Sequence, residues 1–204
     1  MTATPPEWAD ALLRLVLDRD HADSVSGDLL EEYRATIHPA RGQSGADRWY
    51  VMQTLGYVAR SSGFWAAIFG GAFVARTSLD WLAPTDDFHV RSAVSTSIGV
   101  GTLMVAGLWA GWRSSTFAAG TLAGLATAGF GAVVSIVGAV ALLAVAHDPG
   151  TMAAIRGSGG LAEVFTLPFM LLLPGAIVGT VGGVAGAAVR RVLSPGSPSP
   201  TITP

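Results

Sequence analysis

The chain has 204 residues, half of them hydrophobic, a mean hydropathy of +0.50 and a formal net charge of −2. It contains no cysteine, which excludes disulfides, thiolate zinc sites and cysteine nucleophiles. Residues 1–60 carry nine acids against six arginines, so nucleic-acid binding is not expected there.

The first 60 residues read as a small helical domain on the cytoplasmic side. Thr4-Pro5-Pro6-Glu7 has the form of a helix start: Thr4 to cap, Pro5 at the first helical position, Glu7 to close a capping box. Trp8, Leu12, Leu15 and Val16 then recur on one helical face. The run Leu12–Leu17 is interrupted by Arg14 and too short for a signal-peptide core, so no leader is expected. A second helix is predicted from near Asp20, with the stripe Val25, Leu29, Tyr33 and Ile37, ending at Pro39 and Gly42–Gly45. A third begins near Ala46, carries Trp49, Tyr50, Met52 and Leu55, and leads into or close to the first span.

Residues 61–191 read as a four-span transmembrane bundle. Between Ser92 and His147, 56 residues, the only charged side chain is Arg113. A central charge costs several kcal/mol in hydrocarbon, so such emptiness suits a membrane and no soluble domain of this size. The spans are placed at about Gly63–Leu82, Ala93–Trp112, within Phe117–Ala146, and Val164–Val189. The last holds two prolines: Pro168 is placed in its first turn, and Pro174 is expected to kink it. The Ser/Pro-rich tail, residues 192–204, reads as disordered. Arg48, Arg60, Arg113, Arg190 and Arg191 fall on one side of the membrane and Arg76, Arg91 and Arg156 on the other. That bias predicts a multi-pass inner-membrane (plasma-membrane) protein with both termini cytoplasmic. The fold class is therefore all-α, a four-helix transmembrane bundle with a small N-terminal helical domain.

Small residues four apart allow helix backbones to approach closely. Such pairs occur at Gly107/Gly111, Gly120/Gly124, Gly175/Gly179/Gly183 and Gly182/Gly186. They predict packing within the bundle, with homo-oligomerisation or docking on a membrane partner as the alternative. Arg76 and Asp80, four residues apart inside the first span, are expected to pair on one helix face as an anchor near the interface. Asp86, Asp87, His89, His147 and Asp148 gather in two loops on the outer side. They lack a recognised ligand spacing, so solvated loops are expected and no metal or cofactor. Asp28, Glu31 and Glu32 lie on the second helix with no pocket indicated, and no nucleophile–base pair or phosphate loop exists, so the chain is not expected to be an enzyme.

The segment PPEWADALLRLVLDRDHADSVSGDLLEEYRATI, then GADRWYVMQTL, resembles the permease prefix domain found ahead of bacterial permeases of the macrolide-export ABC type. Ser26-Gly27-Asp28-Leu29-Leu30-Glu31-Glu32-Tyr33, Trp49-Tyr50 and Gln53 carry the match. It is loosely similar also to small helical domains of membrane proteins encoded beside PadR-type regulators. The chain has no room for the large extracytoplasmic domain of such a permease, and it has no P-loop. The resemblance covers about 60 residues, implies an accessory or regulatory membrane protein and transfers no catalytic residue. Besides the lipid bilayer, the expected partner is a permease or regulator, or a second copy of the chain. The docking face is read as Val25, Asp28, Leu29, Glu31, Glu32 and Tyr33. The alternative is a small oligomeric transporter or channel.

Overall fold

In chain order the elements are α1 (Glu7–Val16), α2 (Arg19–Glu32), a π-helical turn (Tyr33–Ile37), α3 (His38–Leu82), α4 (His89–Ser114), α5 (Phe117–Val145), α6 (Pro149–Gly157), α7 (Gly160–Met170) and α8 (Leu172–Leu193). They come from a computed structural model that describes residues 3–85, 89–146, 148–157 and 160–193. No strand occurs among the described residues.

α1 starts two residues later than the capping-box reading places it. Its N-cap is Pro6, with no side-chain cap, and the Pro6 carbonyl accepts from the Ala9 and Asp10 amides. Thr4 is used through its backbone instead: its carbonyl accepts from Gln43 and lies 3.2 Å from the Tyr33 hydroxyl. Nor does the chain stop being helical at Pro39. That proline has no amide to offer the Ala35 carbonyl, and the turn just before it widens, with the His38 N–H reaching back to Tyr33. The true break is Gly42, at φ 69° and ψ 178°, a conformation that favours a residue without a Cβ.

α3 then runs without interruption from the N-terminal unit into the bundle. Ala46, Tyr50, Thr54, Val58, Ser62 and Ala66 form one buried stripe at four-residue spacing along it. The first half covers α1 and the second half packs on α5. The N-terminal unit has its own core of Ala9, Leu13, Leu29, Tyr33, Ile37, Ala46 and Tyr50.

Four helical stretches are long and apolar enough to cross a membrane: His21–Leu82 (through the second half of α3), α4, α5 and Val164–Leu193. Their outward faces are apolar too. Val133, Val137 and Val140 on α5 and Ile177, Val181 and Val184 on α8 are exposed, which suits hydrocarbon and would be costly in water. At 29 residues α5 is ~43 Å long, more than a hydrocarbon core of ~30 Å, so a span of this length tilts.

The fourth span is two helices. Helix gives way to a turn at Leu171, between α7 and α8, three residues before Pro174, which has no amide for the Met170 carbonyl, so the break falls where the sequence reading expects Pro174 to act, while Pro168 is not in a first turn. Pro168 lies inside α7, and Pro174 stands in the first turn of α8, where a missing amide costs nothing. α6 was not foreseen. This short helix packs Ile155 against Trp81 of α3 and Ala139 of α5 and closes the end of the bundle remote from α1.

Candidate functional site

The glycines do the work that positions everything else. α8 lies between α4 and α5, and its glycines face both. A Cβ at Gly179 would come 2.5 Å from the Gly120 carbonyl oxygen and 2.7 Å from the Gly124 Cα, and one at Gly183 would come 2.8 Å from the Gly120 Cα. Gly175 meets Ala128 and Gly124 in the same way. Toward α4, Gly107 faces the Gly179 backbone, Gly111 faces Gly183, and Gly182 and Gly186 rest on the backbone from Met104 to Trp112. Every glycine pair picked out in the sequence is therefore occupied by packing within this chain, and none is left as an outward face. Thr121 and Thr180 add a hydroxyl contact of 2.7 Å across α5 and α8.

At the end remote from α1, Arg76 Nε sits 3.3 Å from Asp80 Oδ2, as their spacing predicts. Sequence reasoning missed the third member. Arg91 Nη1 is 3.5 Å from Asp80 Oδ1 and also donates to the Leu79 and Ala83 carbonyls, so it caps the end of α3. Three charged groups thus hold each other where α3 and α4 leave the bundle. Asp148 caps α6: its carboxylate accepts from the Thr151 amide at 3.0 Å and the Thr151 hydroxyl at 2.6 Å. The Thr151 bonds hold its carboxyl below the usual carboxylate value. Asp86, Asp87 and His147 lie outside the described residues, and His89 opens α4. Among the described residues no three His, Cys, Asp or Glu side chains come together as a metal site.

The N-terminal unit is held by two polar networks that the apolar pattern does not reveal. Asp10 accepts from Ser26 (2.5 Å), from Tyr50 (2.9 Å) and from Arg14 (2.8 Å), and Arg14 reaches on to Asp23. Burial raises the Asp10 carboxyl, but the bonds from Ser26, Arg14 and Tyr50 outweigh it and hold the group below its ordinary value. In the second network the Tyr33 hydroxyl donates to Asp47 at 2.5 Å and accepts from Gln43 at 2.9 Å. Ser26 and Tyr50 thus join α2 and α3 to α1 through Asp10, and Tyr33 joins the π-helical turn to α3.

This places the proposed docking residues differently from one another. Leu29 and Tyr33 are buried in the unit's own core and Val25 is half-buried against it. They are corrected from a docking stripe to core residues, because a stripe at helical spacing buries itself first wherever α1 and α3 offer an apolar wall. Asp28, Glu31 and Glu32 are exposed on the opposite side of α2.

Besides the continuous α3 and the apolar contacts of α1 with α4 and α5, a polar contact ties the unit to the bundle. Arg113 Nε lies 2.6 Å from the Asp18 carboxylate, and its Nη2 donates to the Val16 carbonyl at 2.5 Å. Asp18 precedes α2, yet its side chain caps nothing there and serves this contact instead. Arg190 of α8 donates to the Arg113 and Trp112 carbonyls. The single charge of the longest apolar stretch therefore pins the end of α1 to α4, and Arg190 ties α8 to the same end of α4 through its backbone carbonyls. The signal was the solitude of Arg113, but nothing local named Asp18 as its partner.

No protein-family model matches the chain, and neither the curated proteins nor the solved structures give a match. What the structure defines is a class: an all-helical protein with four helices long and apolar enough to span a membrane.

Proposed function

We propose that the chain is a non-enzymatic inner-membrane protein, with both termini in the cytoplasm, that serves a permease or signalling system through its N-terminal helical unit. The observation that carries this reading is the contrast between the two parts. The bundle interior is filled by glycine backbone contacts. Its buried Ser and Thr hydroxyls include ones that bond to carbonyls of their own helix, as Thr102 does to Ile98 and Ser95 to Ser92. α2, by contrast, turns Asp28, Glu31 and Glu32 outward, a face suited to a basic partner. The arginines support the orientation. Arg113 and Arg190 meet at the end that carries α1, and Arg76 and Arg91 meet at the other. The reading of this unit as a permease prefix belongs to the same proposal and rests on the motif from Ser26 to Tyr33.

The oligomeric transporter reading is favoured less, since the glycine faces that were to carry self-association are used within the bundle. Crosslinked pull-down from native membranes tests the proposal. The intact chain should capture a permease, ATPase or regulator. The combined Asp28→Asn, Glu31→Gln, Glu32→Gln variant, still folded and inserted, should lose it. Capture that is undiminished by the triple variant removes the acidic face from the function.

A further inference from the structure

The cleft where the N-terminal unit meets the bundle has a chemistry of its own. It is a hollow of about 300 Å³ between the end of α1, the start of α2, α3 and the end of α4. Its polar lining is Asp18, His21, Tyr57, Arg60, Ser61 and Arg113, over a floor of Val16 and Leu17. Its cations are of two kinds. Arg113 is fixed by Asp18 and the Val16 carbonyl. Arg60 is exposed, stacks over the Tyr57 ring at 5.8 Å, and has no carboxylate partner among the described residues.

Position sets the ligand class. Arg60 lies three residues before Gly63, where the apolar run of α3 begins, so it stands ~4.5 Å outside that run along the axis. A second, narrower crevice beside Trp65 and Trp109 shares Val16, Leu17, Ser61 and Arg113 with this hollow. Trp109 and Trp112 are 46% and 40% exposed on α4, with ring centroids 5.3 Å apart, the placement of an aromatic belt. A guanidinium with no ion-pair partner among the described residues, at headgroup depth and next to an exposed tryptophan pair, suits a phosphodiester whose apolar part stays in the bilayer.

We propose that this cleft binds the headgroup of an anionic phospholipid. The phosphate is held by Arg60, with the Arg113–Asp18 pair behind it and the Tyr57 and Ser61 hydroxyls at its edge. The acyl chains lie along Trp109 and Trp112. The lipid would then bridge α1, α3 and α4. This inference is independent of any protein partner of α2.

Native mass spectrometry of the full-length protein in neutral detergent, with phosphatidylglycerol or phosphatidylcholine added, tests it. The expected result is about tenfold greater retention of phosphatidylglycerol, reduced about tenfold by Arg60→Gln, as fits the loss of one arginine–phosphate pair. Arg191→Gln removes an exposed cation from the same end but outside the cleft and should leave retention almost unchanged. Thermal melting without lipid checks that both variants are folded. Three results would overturn the proposal: equal retention of the two lipids, equal losses in Arg60→Gln and Arg191→Gln, which means diffuse attraction, or stabilisation by inorganic phosphate alone that matches phosphatidylglycerol.

Discussion

Asp10 shows how one side chain can organise three helices. It sits on α1 and receives a hydroxyl from α2, a hydroxyl from α3 and the Arg14 guanidinium. Removing it leaves the buried Tyr50 without its acceptor, and an unmade bond to a buried group costs more than a made one contributes. Asp10→Ala is therefore expected to destabilise the N-terminal unit by about 2 kcal/mol, read as faster amide exchange in α1 and α2. The pH dependence has a definite sign. The Asp10 carboxyl is depressed in the folded state, so its contribution is present above the unfolded value of about 4 and is lost as pH falls through the lower folded value. Acidification should loosen α1 from α3 in this range, and the Asp10→Ala protein should show a smaller acid-induced change by the same exchange measurement.

Among the elements, α8 is the most demanding, since it has a backbone-to-backbone fit on two sides. Gly179→Ala puts a methyl group 2.5 Å from the Gly120 carbonyl oxygen, and a backbone cannot swing away as a side-chain tip can. The expected cost is about 3 kcal/mol, near the upper end for overpacking, and Gly179→Leu should prevent assembly of α4, α5 and α8. Gly71 on α3 is the control. It is helical with open space around its Cβ position, so Gly71→Ala should stabilise the protein by about 0.5–1 kcal/mol. Steric trapping or denaturant titration in micelles measures both. If Gly179→Ala is as harmless as Gly71→Ala, the close approach of α8 to α5 is not real. The same contrast shows what could be read in advance. The four-residue glycine spacing singles out Gly179 and passes over Gly71, but it also passes over Gly70, whose Cβ position meets the Gly131 carbonyl oxygen, and only the neighbour across the interface separates Gly70 from Gly71.

For the whole molecule, the question is whether the N-terminal unit and the bundle move together. Their polar link is Arg113 with Asp18 and the Val16 carbonyl, and the pair is partly exposed, so screening keeps it modest. A double-mutant cycle with Asp18→Asn and Arg113→Gln should give a coupling of about 1 kcal/mol that shrinks as salt is raised. A coupling indistinguishable from zero would mean that α1 is held to the bundle by its apolar end alone.

What the sequence determined by itself are the properties that depend on one stretch of chain at a time. These include the all-helical class, the four apolar stretches, the end of the first at Leu82 and of the third beside Ala146, and the Arg76–Asp80 pair. Each follows from local periodicity or from the cost of a charge in hydrocarbon, and neither needs to know the neighbour. The tertiary structure alone decided which glycine meets which backbone. It turned Leu29 and Tyr33 inward while Asp28, Glu31 and Glu32 faced out, placed Pro168 inside α7, and joined Arg113 to Asp18 across 95 residues. The physical reason is the same in each case. A stripe, a proline or a lone charge states what it requires, an apolar wall, a tolerant turn or an opposite charge, but which part of the chain supplies it is set by how the helices pack together.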